Sequence, residues 1–163
     1  MSTSTGTVVL VTDFMKAVRE TLIKEFEARN SEISEEKLNI LVNACIKFTM
    51  LNVSKNKIVN FNLKNATSFT GESGMYILYS IVRMKSILNK YKEAGKSADS
   101  AKILPAHSES EKALMIEIGK FNGMMESAFE DIAPHKVCSY IYDLANAFNH
   151  FYHETKIMAE EDQ

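Results

Sequence analysis

Tryptophan is absent from this chain, proline and cysteine each occur twice, and glycine occurs six times in 163 residues. So little Gly and Pro excludes collagen-like and low-complexity chains, and two cysteines cannot hold together a disulfide-built fold. No apolar run approaches the roughly 20 residues of a membrane span, so no membrane partner is expected. The start, Met1–Leu10, lacks the basic and apolar regions of a signal peptide. Cys45 and Cys138 lie far apart within apolar patterns and read as reduced, buried thiols; the expected location is cytoplasmic. No CxxC or Cys/His cluster is present, so no metal site is expected. GxGxxG, P-loop, HExxH, paired-carboxylate and Ser/His/Asp patterns are missing too, which leaves no recognisable catalytic constellation.

What is present suits one folded domain. The chain is 45% apolar and 25% charged, with nine Phe, six Tyr and nine Met to fill a core. The net charge of −2 argues against a nucleic-acid partner, yet it hides an asymmetry. Between Lys37 and Leu104 there are eleven Lys/Arg against three Asp/Glu, a surplus of +8; the preceding part carries −3 and the following part −7. A basic middle is either a solvated face or an approach surface for an anionic partner.

Periodicity predicts an all-α helical bundle with a short β-like stub at residues 1–12. Asp13 is placed to cap a helix running to about Arg29, with Phe14, Val18, Leu22 and Phe26 on one face. Ser34 is placed to cap a second, carrying Leu38, Leu41, Val42, Cys45 and Phe48. The Asn- and Lys-rich stretch from Leu51 to Lys64 reads as a polar loop, followed by a turn of helix at Asn65–Phe69. A long helix is expected from about Glu72 to Glu93, its stripe formed by Met75, Leu78, Tyr79, Val82 and Ile87. After a small, polar loop, Ser108 starts a helix with Leu114, Ile118 and Phe121, interruptible at Gly119 and Gly123. Pro134 opens a last helix that is apolar on most sides.

Three stretches together resemble the arginyl-tRNA synthetase family. MSTSTGTVVL at Met1–Leu10 is similar to the class I signature loop (K-M-S-K-S) in its arginyl form, matching at Met1, Ser2, Thr3, Gly6, Val8 and Val9 but without the leading lysine. Leu51–Lys57 reads L-x-x-S-K-N-K and Phe69–Arg83 reads F-x-G-E-S-G-x-Y-x-x-Y-S-x-x-R, close to family patterns apart from Glu72, Ser73 and Ser80. Pro134–Tyr152 reads P-H-x-x-x-x-Y-x-Y-x-L-A-x-x-F-x-x-F-Y, like the central helix of the DALR anticodon-binding domain. Related class I synthetases such as cysteinyl share a helical domain of this kind; the last pattern favours arginyl.

The resemblance implies a division into residues 1–12, a remnant of the signature loop, and residues 13–163, a helical anticodon-binding domain shortened at its C-terminal end. It implies a part of an arginine–tRNA ligase, with arginine tRNA as partner, no DNA, and a Rossmann catalytic domain with its H-I-G-H motif upstream. The whole enzyme would use ATP with Mg²⁺; in most of the family tRNA must bind before activation. Met1, Ser2, Thr3 and Gly6 correspond to the loop that closes over ATP, but without lysine or an ATP site no catalysis is expected from these residues alone. Single-stranded bases need aromatic faces and amide or hydroxyl groups, and phosphates need Lys and Arg. The resemblance places the anticodon near the end of the last helix, and there Asn149, Tyr152 and His153, with their polar tips, are the expected contacts. Lys55, Asn56 and Lys57 are expected toward the acceptor-side path, with Tyr76 exposing its ring. Tyr79, Tyr140, Phe148 and Phe151 are expected in the core. Arg83 either holds an RNA phosphate or locks the bundle through a buried ion pair. The competing reading is a free-standing helical protein-interaction module or a non-functional remnant.

Overall fold

The computed structural model describes residues 10–97 and 102–157. These residues form seven helices and no strand: α1 (Val11–Ala28), α2 (Glu35–Leu51), α3 (Leu63–Ala66), α4 (Gly74–Glu93), α5 (Glu109–Gly119), α6 (Phe121–Glu130) and α7 (Pro134–Glu154). The all-α expectation holds among them. Most of the expected β-like stub, residues 1–9, lies outside the described residues. Its described end is an extended Leu10, after which Val11 and Thr12 already belong to α1. The described residues divide into two compact units, one of residues 10–53 and 57–76, the other of residues 54–56, 77–97 and 102–157.

The first unit is built on an apolar core. Val18 and Leu22 of α1 meet Leu38, Val42 and Cys45 of α2, and Met75 from the first turn of α4. On each of α1 and α2 these residues are spaced three, four or seven apart, which puts them on one face. Burying a Leu or Val side chain contributes about 1.5–3 kcal/mol. Phe14 sits edge-on to Phe61, and Ile33, Leu41 and Phe69 close the periphery. Ser34 caps α2 as expected, its hydroxyl accepting from the Lys37 N–H at 3.5 Å. Asp13 does not cap α1: the helix begins two residues earlier, and Asp13 lies in its first turn, where a carboxylate opposes the positive end of the helix. The predicted helical turn at Asn65–Phe69 forms slightly earlier, as α3, because the Asn62 side chain accepts from the Asn65 N–H and caps it.

Gly74 marks where α4 meets α2. A Cβ there would lie 2.3 Å from the Ala44 carbonyl oxygen and 2.9 Å from the Cys45 nitrogen, both fixed backbone atoms. Only glycine permits this approach. Beside it, buried Ser73 donates to the Ser68 carbonyl at 2.5 Å and accepts from the Tyr76 N–H at 3.1 Å.

In the second unit α7 packs against α5 and α6, burying Cys138, Tyr140, Ala145 and Phe148. Pro134 occupies the first turn of α7, where a missing N–H costs nothing. Ser108 caps α5, accepting from the Glu111 N–H at 3.1 Å, while the Glu111 carboxylate accepts from the His107 N–H at 2.6 Å. The break between α5 and α6 falls at Lys120, after Gly119; Gly123 stays helical.

The apolar expectations for α4 and for α5–α6 are corrected. Tyr79 and Val82 are exposed, and so are Ile118 and Phe121. In place of Tyr79, buried Ser80 faces inward on α4. On α6, Phe121, Met125 and Phe129 form an exposed stripe at four-residue steps.

Two helix ends use a left-handed residue. After α1, Asn30 (φ +50°) follows the C-cap, and the Ser31 N–H returns to the Phe26 carbonyl at 3.0 Å. After α6, Ile132 (φ +49°) takes the same place, and the Ala133 N–H returns to the Ala128 carbonyl at 2.8 Å.

Candidate nucleic-acid interface

Helices α4 and α7 supply the polar centre of the second unit. Arg83 and Asn149 lie 66 residues apart in sequence, and the Arg83 Nη1 donates to the Asn149 Oδ1 at 3.0 Å. The Asn149 Nδ2 donates to the Ser80 hydroxyl at 2.8 Å. Asn149 and Ser80 are both buried, so the amide spends its two ends on two α4 side chains. A buried amide left unpaired would cost about 1–3 kcal/mol; pairing removes that cost.

The guanidinium of Arg83 also lies near two aromatic rings. Its carbon lies 4.4 Å from the Tyr79 ring centroid and 4.9 Å from that of Tyr152. Its Nη2 also donates to the Tyr79 hydroxyl. Cation–aromatic contacts of this kind contribute about 0.5–2 kcal/mol each. Tyr79 reaches Arg83 because the two are four residues apart on one helix face. No carboxylate pairs with Arg83 among the described residues, so of its two expected roles the buried ion pair is not realised. Among the described residues its positive charge is positioned by neutral groups.

Tyr152 also stacks toward Phe148, with centroids 6.0 Å apart, and toward His153 at 6.1 Å. Both Tyr152 and His153 are exposed. Arg83, Asn149, Tyr152 and His153, all expected contacts, are therefore neighbours along α4 and the end of α7. Asn149 differs from the others in facing inward.

The remaining expected residues do not join this cluster. Lys55 donates to the Asp131 carbonyl at 2.7 Å and lines a separate recess with Asn56, His135 and Lys136. In that recess Lys136 bonds the Asp131 carboxylate, holding it below its ordinary pKa. The His135 Nδ1 there is buried without a hydrogen-bond partner among the described residues. Lys57 and Tyr76 belong to the first unit; Lys57 is exposed and Tyr76 half-buried. Met1, Ser2, Thr3 and Gly6 lie outside the described residues.

Sequence reasoning missed Tyr79 and Ser80, having assigned the first to the core. It also missed Lys90 and Lys156, which line a recess of about 400 Å³ beside Arg83 and Tyr152. The Arg83-to-Lys90 spacing of seven residues, two helical turns, was the available signal for Lys90. Among the described residues no three His, Cys, Asp or Glu side chains converge to hold a metal ion, and no helix is long and apolar enough to cross a membrane.

A model of the DALR anticodon binding domain family matches residues 77–163. Along nearly its whole length the chain is similar to arginine–tRNA ligases. It is 40% identical to that of Agathobacter rectalis over 99% of this chain and 29% of the relative. To that of Alkaliphilus oremlandii it is 37% identical over 98% of this chain and 28% of the relative. Among solved structures, the arginyl-tRNA synthetase of Thermus thermophilus superposes with a TM-score of 0.78 at 25% identity, covering 95% of this chain and 27% of that one. The chain thus spans less than a third of the length of the curated relatives it matches.

Proposed function

The chain belongs to the DALR anticodon-binding domain family, and from that premise we propose that residues 77–163 hold the anticodon arm of arginine tRNA. The observation that carries this reading is the clamped cation: half-buried Arg83 between Tyr79 and Tyr152, with no acidic partner among the described residues. Aromatic faces can take unstacked bases, and a fixed guanidinium can take a base edge or a phosphate. Asn149 contributes by orienting Arg83, and Tyr152 and His153 supply the exposed surfaces. Lys55, Asn56, Lys57 and Tyr76 are proposed as contacts to other parts of the tRNA.

On the same reading the relatives' reaction, joining arginine to tRNA, belongs to a longer enzyme with a catalytic domain. ATP and Mg²⁺ serve the adenylate-forming step of that enzyme. Met1, Ser2, Thr3 and Gly6, whose resemblance is to the loop that closes over ATP, carry no further step here, and these 163 residues alone are proposed to be inactive.

The test is binding of the full chain to a hairpin bearing the arginine anticodon and to hairpins with substituted anticodon bases. Preference for the arginine anticodon is expected; equal binding to all would refute base recognition. A second reading, a helical protein-interaction module, is favoured by the exposed stripe of Phe121, Met125 and Phe129 on α6. Salt separates the two. RNA affinity held by Lys and Arg falls linearly in log K against log salt, whereas an apolar protein contact does not weaken.

A further inference from the structure

The recess beside Arg83 has a lining unlike the rest of the surface. Its floor is one face of α4, where Arg83, Ser86, Ile87 and Lys90 stand at successive turns. Its other side is the end of α7 and the residues after it: Tyr152, Thr155, Lys156 and Ile157. Among the described residues three cations and three hydroxyls line it, and no carboxylate does. Neither Lys90 nor Lys156 is in an ion pair among the described residues, whereas Arg19, Arg29, Lys112, Lys120 and Lys136 each face a carboxylate. Two opposing charges among the described residues must be weighed. Glu93 lines an adjoining recess with Lys90, and the carbonyl end of α7 carries about −0.5 of a unit charge. Three full positive charges outweigh both.

We propose that this recess is a phosphate-binding subsite. Arg83, Lys90 and Lys156 take the oxyanion, Ser86 and Thr155 offer hydroxyl hydrogens, and Asn149 is the positioning residue that keeps the guanidinium aimed. The planar fork of Arg83 already spends Nη1 on Asn149 and Nη2 on Tyr79, and a guanidinium carries five N–H donors in all, so donors remain for a ligand. Lys90 and Lys156 act as point charges from opposite walls. A volume of about 400 Å³ admits a phosphodiester with part of its sugars. Naming an RNA phosphate as the occupant rests on the tRNA reading above; the oxyanion chemistry does not. The subsite gives affinity without base identity, whereas the exposed faces of Tyr152 and His153 give the opposite.

The test uses the full chain, the anticodon hairpin and two exposed substitutions, Lys90→Gln and Lys156→Gln, that leave the packed residues untouched. Each is expected to weaken hairpin binding, and the double variant to make the log K against log salt line shallower by about 0.7, the value for one single-stranded phosphate contact. The ratio of affinities for native and substituted anticodons should not change. An unchanged salt slope in the double variant overturns the subsite while leaving the tRNA reading intact. If the wild-type chain binds no hairpin, that reading fails, and titration with inorganic phosphate followed by amide NMR decides the subsite. Shifts at Ser86, Lys90, Thr155 and Lys156 that vanish in the double variant sustain it; no shifts in the wild type overturn it. Hairpins with and without a 5′-terminal phosphate separate an internal phosphodiester from a chain end. Asn149→Leu supplies the positioning arm: a role confined to folding lowers the melting temperature and leaves the slope alone, whereas lost aim at Arg83 flattens the slope as well.

Discussion

The two units solve the problem of holding helices together by different means. The first packs its helices around an apolar centre, with Val18, Leu22, Val42, Cys45 and Met75 nearly or wholly excluded from water. The second joins α4 to α7 through a buried amide, a hydroxyl and a clamped guanidinium, while leaving Phe121, Phe129 and Ile132 exposed. Hydrophobic attraction has no preferred direction, and a hydrogen bond does. The second arrangement therefore fixes where a charge points, which the first could not do.

The sharpest way to break this contrast is at the apolar centre. Leu22→Ala is expected to cost about 3–4 kcal/mol, read from the urea midpoint of the first unit's transition. A cost below about 1 kcal/mol would mean that the centre collapses freely. Gly74→Ala should come next, at about 2–3 kcal/mol, because its Cβ meets backbone that cannot step aside. Asn149→Leu should cost about 1–3 kcal/mol in the second unit by leaving Ser80 and Arg83 without their partner. If that substitution proved neutral, the polar centre would be ornamental to folding.

The cysteines sharpen the contrast through pH. Burial pushes the Cys45 thiol up to about 12, and Cys138 upward as well. A thiol that resists ionising in the folded state but ionises near pH 9 when unfolded contributes stability that is complete below pH 9. That contribution is lost as pH rises toward 12. At about pH 10 the loss from Cys45 should be about 1 kcal/mol, absent in Cys45→Ala when each variant is compared with itself at about pH 8. Near neutral pH each thiol should react with a labelling reagent only when its own unit opens, so the two labelling rates measure the two units separately. Smallest of all, Phe129→Gln should leave stability within about 0.5 kcal/mol, since the ring is 85% exposed, while reducing any self-association seen by sedimentation.

The first unit was legible because apolar residues at three- and four-residue steps have one physical explanation, and Val18, Leu22, Leu38, Val42 and Cys45 all lie where that spacing puts them. Helix starts at Ser34 and Ser108 were legible for a local reason: a hydroxyl reaches an N–H three residues on. The face of α4 was not. Its inward residue is a serine whose partner lies 69 positions away, and nothing local announces that pairing. Tyr79 looks apolar in a periodic reading, yet its ring serves a cation four residues on. Arg83 was singled out from its place in the motif, but only three-dimensional packing shows that its partners among the described residues are neutral. Lys156 was illegible for another reason: it enters the recess from beyond the end of α7, where helical periodicity has stopped.

The two left-handed helix ends have a consequence for engineering. Asn30 occupies a conformation its short amide tolerates, but Ile132 is β-branched, 75% exposed and in the same conformation. Glycine at that corner would relieve roughly 1 kcal/mol of backbone strain and at the same time remove a water-facing apolar group. Selection for heat resistance and selection for solubility, so often opposed, should converge there on a single substitution.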